Sequence, residues 1–220
     1  MALDSIYLPK LNMLTPTLES TLLKAVEEAG ELARAVLKFL PYQDRPASTE
    51  KDRLTVERLL AEVAEELLDV AQTCVTMIFV MEDSGGFQAD VLIDAHLDKL
   101  VAKGYRYDRS QAYHITTHDR FKFLNLPRLE LDQVTLLTTV CKIQEELGEL
   151  TQFLGKRAGA SGEQRAFAAD IVMQGCALEL LDVAQCCFTM MYILAEKHGV
   201  DILALLDKHI AKLRLKGYFA

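Results

Sequence analysis

The sequence predicts an all-α protein built as a tandem repeat of a three-to-four-helix module, closing into a helical bundle. Three observations predict it. Apolar residues recur at helical spacing along six stretches, blocks from the first half return in the second, and period-two alternation is nowhere sustained. Lys24-Ala-Val-Glu27-Glu28-Ala-Gly30-Glu31-Leu32 returns as Lys142-Ile-Gln-Glu145-Glu146-Leu-Gly148-Glu149-Leu150, at an offset of 118. Glu66-Leu-Leu-Asp69-Val-Ala-Gln72 returns as Glu179-Leu-Leu-Asp182-Val-Ala-Gln185, at an offset of 113. His96, Lys99, Leu100, Lys103, Gly104 and Tyr105 return as His209, Lys212, Leu213, Lys216, Gly217 and Tyr218, again at 113. The shortening falls between the first two blocks, so a loop has contracted while both flanking elements were kept.

Each element follows from its own residues. The first helix is expected from Pro16 to Phe39, with Thr15 as its cap and Pro16 at the first helical position. Leu18, Leu22, Ala25, Ala29, Leu32, Val36 and Leu40 form its apolar stripe. Pro41 and Pro46 mark the loop that follows. The second helix is expected from Glu50 to Met81, ended by Gly85 and Gly86, and the third from Phe87 to Lys103, stopped by Gly104. The second half repeats this with helices over Glu130–Lys156, Glu163–Lys197 and Val200–Lys216. The domain organisation is therefore residues 1–107 as the first module, 108–127 as a linker without counterpart, and 128–220 as the second module.

Composition excludes several function classes. A net charge of −8, from 32 acidic and 24 basic residues, argues against gripping nucleic acid through its phosphates. The five cysteines form no C-x-x-C pair and sit in apolar helical runs, which fits a reducing cytosol and gives no zinc signature. Met1 to Leu14 has no signal-peptide pattern, and the apolar runs Val70–Met81 and Val183–Ala195 are too short to span a bilayer. A soluble, cytoplasmic protein with no membrane partner is expected.

The chemistry lies in the acidic residues. Positions three apart on a helix lie about 60° apart around the axis, so Glu28 and Glu31 project as one pair and Glu66 and Asp69 as another. Both pairs border their helix's apolar stripe. Packing the stripes together brings four carboxylates to the rim of the core, and the second half offers Glu146, Glu149, Glu179 and Asp182 in the same order. Like charges at that range require protons or a cation, and hard oxygen donors without a Cys or His cluster favour Mg²⁺, with Mn²⁺ as the other candidate. Either pair alone reads as solvated helix charge; the repetition of both, with their surroundings, sets that reading aside.

The order E-E-x-x-E, a loop, then E-x-x-D resembles the signature of the MazG-like all-α nucleoside triphosphate pyrophosphohydrolases, twice over. The resemblance implies Mg²⁺-dependent cleavage between the α- and β-phosphates of a nucleoside triphosphate, releasing a monophosphate and pyrophosphate in nucleotide-pool house-cleaning. It implies that Glu28, Glu31, Glu66 and Asp69, and Glu146, Glu149, Glu179 and Asp182, are the metal-holding catalytic residues. Glu27 and Glu145 are assigned to orienting water or to a salt bridge. The Pro-containing loop between Glu31 and Glu66 is long for the pattern and is expected to bear on substrate choice.

Lys99, Lys103, Lys212 and Lys216 are candidates for substrate phosphate, set against a role as C-terminal helix cations. Lys24 and Lys142 are read as salt-bridge partners of Glu28 and Glu146. His96 and His209 are read as packing or capping residues, and Tyr105 and Tyr218 as packing residues, with stacking on a base as the alternative. The resemblance also implies an assembly of paired modules, here an internal pseudo-dimer with two metal sites, with room for the whole chain to homodimerise. A di-iron carboxylate bundle is disfavoured, because no Glu has a His three residues on. The alternative from another class is a helical regulatory or scaffold protein that binds nucleotides without hydrolysing them.

Overall fold

The computed structural model describes residues 5–44, 48–85, 87–110, 113, 115–118, 121–131, 133–158 and 169–218. Six α-helices carry it: α1 (Leu18–Phe39), α2 (Glu50–Asp83), α3 (Ala89–Ala102), α4 (Leu136–Ala158), α5 (Ala169–His198) and α6 (Ile202–Leu215). The predicted end at Gly86, the loop at Pro46 and the helix start at Glu163 lie outside the described residues.

Helix starts follow local hydrogen bonding. The cap of α1 is Thr17, not the expected Thr15, because Thr17 and Ser20 form a reciprocal capping box. Pro16 therefore lies outside the helix. Thr135 and Thr138 repeat the device ahead of α4, with Thr135 N–H donating to Thr138 Oγ1 at 2.9 Å and Thr138 N–H donating back to Thr135 Oγ1 at 3.1 Å. That moves the start of α4 from the expected Glu130 to Leu136. At the other end, Gly104 and Gly217 adopt φ of 85° and 76°. Tyr105 N–H donates to Leu100 O and Tyr218 N–H to Leu213 O, both at 3.0 Å, which is the Schellman closure that a left-handed glycine permits.

Helices α2 and α5 pack face to face at the centre, α1 lies on α2, α4 on α5, and α1 and α4 meet each other. Val63, Leu67, Val70, Cys74 and Ile78 of α2 and Leu180, Val183, Cys187 and Met191 of α5 are all buried. Helix α5 has the length and composition to cross a membrane, yet 89% of its most apolar stretch is buried among the other helices. It is the core helix of a bundle. Cys141 departs from the expected core placement and is exposed.

The third helices cross over: α3 packs chiefly on α5, and α6 chiefly on α2. Each half thereby lends its last helix to the other.

Strands were not expected, and a small antiparallel sheet is present. The segment read as a linker forms β2 (Ile115–His118) and β3 (Phe121–Leu124), and β3 also pairs with β1 (Leu8–Pro9), in the order β1-β3-β2. The strands are too short to show periodicity; what favours them is the β-branched and aromatic content of Ile115-Thr-Thr and Phe121-Lys-Phe. The sheet ties the N-terminus to the segment leading into α4.

Candidate metal and nucleotide site

Glu28 and Glu31 on α1 and Glu66 on α2 each place a carboxylate oxygen within 4.8 Å of the others. Glu146 and Glu149 on α4 and Glu179 on α5 do the same. Helical spacing supplies each pair, and burial of the stripe beside it draws the pair toward the third acid. Glu28, Glu146 and Glu179 are buried. The cost of burying acid among acid is visible on α2 and α5. Desolvation, with repulsion from Glu31, Asp69 and Glu28, pushes Glu66 up to about 7. Desolvation also pushes Glu179 up to about 7, against the pull of Lys99.

One oxygen of Glu179, Oε2, is buried without a hydrogen-bond partner. An orphaned acceptor inside a group of three acids is what a bound divalent cation would satisfy. The donor set, oxygen only, fits Mg²⁺ or Mn²⁺ by charge and hardness.

Asp69 and Asp182 stand apart from these triads and face the third helix of the opposite half. Asp182 is held by Lys99 Nζ and by His96 Nδ1, the latter at 3.1 Å. Burial would raise the Asp182 carboxyl, but the neighbouring His96 and Lys99 outweigh it and the net value is lowered. Asp69 is held by Lys212 at 3.2 Å and His209 at 3.4 Å. Burial pushes the His209 imidazole down, with attraction to Asp69 opposing it.

Behind each histidine sits a glutamine. Gln72 donates to Pro9 O at 2.8 Å and Gln185 to Pro127 O at 2.6 Å; their Oε1 atoms lie 3.4 Å from Nε2 of His209 and His96 respectively. Each chain of contacts runs from an extended segment, through a glutamine and a histidine, to an aspartate. The sequence reading quoted the two glutamines in its repeat without giving them a role, and it did not single out the two prolines. The signal was present: Leu8-Pro9-Lys10-Leu11 returns as Leu126-Pro127-Arg128-Leu129 at the same offset of 118 as the first helix. Lys10 pairs with Asp83 at 2.5 Å, and Arg128 with Glu196 at 2.6 Å, the matching positions again.

The remaining candidates fall into place individually. Lys24 lies 2.5 Å from Glu28 and 3.1 Å from Glu27; Lys142 lies 2.6 Å from Glu146 and 3.0 Å from Glu145. Glu27 and Glu145 are thus exposed salt-bridge partners. Of the lysines proposed for phosphate, Lys99 and Lys212 are engaged with aspartates. Lys103 and Lys216 are exposed on the walls of two cavities. His96 and His209 are buried, with Nδ1 at 3.1 Å from Asp182 and 3.4 Å from Asp69 respectively.

The cavities adjoin the acids. One, of about 460 Å³, runs from Glu28, Glu31 and Asp69 past Thr73 to Tyr218. The other, of about 320 Å³, runs from Glu146 and Asp182 past Cys186 to Tyr105. Each combines two helices of one half with the third helix of the other. Each has acids at one end, a lysine on the wall and an aromatic ring beyond, an arrangement able to hold a charged group at one end and an apolar or planar one at the other.

The family described as MazG nucleotide pyrophosphohydrolase domain matches residues 16–104, the stretch holding Glu28, Glu31, Glu66 and Asp69. The chain is 33% identical over 78 residues to YvdC of Bacillus subtilis (strain 168), a protein described as uncharacterised; the match covers 36% of this chain and 67% of YvdC. No solved structure matches.

Proposed function

This chain belongs to the MazG nucleotide pyrophosphohydrolase family, and from that premise we propose that it hydrolyses nucleoside triphosphates between the α- and β-phosphates, with Mg²⁺ at two sites, to clear unwanted nucleotides. The observation that carries this reading is the presence of two carboxylate triads, each with at least one member on the wall of a cavity. A divalent cation at each triad would neutralise phosphate charge and lower the pKa of an attacking water. The residues proposed to hold it are Glu28, Glu31 and Glu66 with Asp69, and Glu146, Glu149 and Glu179 with Asp182.

The protein's own groups have separable tasks in this reading. The His96 and Lys99 side chains hold the Asp182 carboxyl below its ordinary value, and His209 and Lys212 lie against Asp69 in the same way. Lys103 and Lys216, exposed on the cavity walls, are the side chains assigned here to phosphate oxygens. The cavity excludes bulk water from the nucleoside and orients the triphosphate toward the acids. No side-chain nucleophile is needed, because water attacks phosphorus directly. The two halves act as an internal pseudo-dimer in which each supplies part of the other's site.

The test is pyrophosphate release from a panel of ribo- and deoxynucleoside triphosphates with Mg²⁺, comparing wild type with Glu28→Gln, Glu146→Gln and the double substitution. Loss in the double substitution, with a partial loss in each single one, supports the assignment. Nucleotide binding without release from any substrate would sink it and leave a non-hydrolysing binding protein.

A further inference from the structure

The two cavities are lined by matching positions, so their differences can be read one at a time. One glutamate (Glu28 or Glu146), the aspartate, the inner lysine (Lys24 or Lys142), the glutamine and the tyrosine are common to both. Two polar positions on the wall differ in residue, and a third keeps its residue but not its hydrogen bonding. Thr73 is replaced by Cys186, which exchanges a hydroxyl for a weakly hydrogen-bonding thiol. Burial pushes that thiol up to about 12, so it stays neutral. Ser20 is replaced by Thr138, which adds a methyl group. Thr21 and Thr139 are the same residue in different states. Thr139 Oγ1 spends its proton on Thr135 O at 2.9 Å, whereas the hydroxyl of buried Thr21 makes no hydrogen bond among the described residues. The second cavity is also the smaller, about 320 against about 460 Å³.

The position of the Thr73/Cys186 exchange says which part of a ligand it meets. Both residues lie four positions after the aspartate, one helical turn deeper along the wall than the acids. If phosphates lie at the acids, the sugar is the next group to enter. A sugar hydroxyl at this level can donate to the Thr73 oxygen, which keeps acceptor capacity while its proton goes to Asp69 O at 3.0 Å. At that point on the second wall the same hydroxyl meets the thiol of Cys186, a much weaker acceptor.

We propose that the two sites sort nucleotides by sugar: the second, at Thr138, Thr139 and Cys186, takes 2′-deoxynucleotides over ribonucleotides, and the first, at Ser20, Thr21 and Thr73, accepts both. The proposal rests on the pyrophosphohydrolase reading for the kind of ligand. An unpaired buried hydroxyl lowers affinity about 10- to 100-fold.

The experiment isolates each site with Glu28→Gln or Glu146→Gln and compares kcat/KM for CTP against dCTP and GTP against dGTP. The deoxy preference is expected to be about 10- to 100-fold larger when only the second site is intact. Adding Cys186→Thr to that protein should bring the preference down toward that of the first site, through KM and not kcat. Equal preferences at the two sites, or a preference that Cys186→Thr leaves unchanged, would overturn the proposal. If wild type releases no pyrophosphate, calorimetric affinities for the same four nucleotides are measured on the same variants. A sugar preference confined to the second site then supports the sorting while the hydrolytic reading fails; equal or absent binding overturns both.

Discussion

The two candidate sites use the same residue types in the same order, yet they sit in different surroundings. Around the first, charge is abundant: Arg34 pairs with Glu31 at 3.2 Å, Lys208 with Glu65 at 2.6 Å, and Glu62 with Lys38 and Arg58. The positions matching Arg34, Glu65 and Glu62 in the second half are Gln152, Leu178 and Gly175. Asp69 keeps 25% of its side-chain surface exposed and Asp182 only 8%. Glu66 is half-buried and Glu179 buried. The repeated carboxylates have been kept while the shell around them diverged toward a drier second site. Electrostatic effects should therefore be stronger there, where less solvent screens them.

The largest expected effect is on pH dependence. A carboxyl whose folded-state value is raised holds its proton more tightly when folded. The stability contributed by Glu66 and Glu179 is thus fully present below their ordinary 4.5 and is lost as pH rises toward about 7. Without divalent cation, Tm is expected to fall over that window, and Mg²⁺ to remove most of the fall, because cation binding favours the ionised acids. Glu179→Gln should flatten the slope more than Glu66→Gln, since solvent screens Glu66 more. Thermal melts from pH 4.5 to 7.5 with and without Mg²⁺ decide it; identical slopes in both variants would erase the contrast between the sites.

The next effect separates the clamps. Lys99→Met strands a buried Asp182 and should cost about 1.5–3 kcal/mol in urea unfolding. Lys212→Met beside the more exposed Asp69 should cost about 1 kcal/mol or less. Because each lysine comes from the opposite half, activity should fall at the site across the molecule, about 10- to 100-fold for a group orienting a metal ligand. Lys99→Met would then mimic the loss seen in Glu146→Gln. If it resembled Glu28→Gln, the crossed arrangement would be wrong.

The glutamines should behave alike. Gln72→Leu and Gln185→Leu each leave a buried proline carbonyl unpaired, an expected cost of about 1–3 kcal/mol by chemical denaturation. A much larger loss in one of them would show that the extended segments matter unequally. Smallest are the caps: Thr17→Ala and Thr135→Ala should each cost about 1 kcal/mol, again by denaturation, with little change in turnover.

The helices and the acids were legible in the sequence because both depend on short-range spacing. Glu28 with Glu31, or Glu179 with Asp182, project together on any helix, and the repeat in the sequence marked them out from chance charges. The glycines ending α3 and α6 were legible for the same local reason. Strands β1, β2 and β3 were not, being too short for alternation to register. The start of α4 was misplaced because Glu130 carries no local stop signal. Its N–H donates to Arg106 O at 2.8 Å, a contact that exists only once the end of α3 lies alongside.

What the sequence determined by itself is thus the helical class and which carboxylates share a helix face, since helix periodicity fixes those within a few residues. Tertiary structure alone decided that α3 serves Asp182 and α6 serves Asp69, that Lys99 and Lys212 spend their charge on aspartates, and that one Glu179 oxygen is left buried without a partner. Those outcomes depend on how apolar faces from distant segments exclude water together, and spacing along the chain carries no record of which half a helix will pack against.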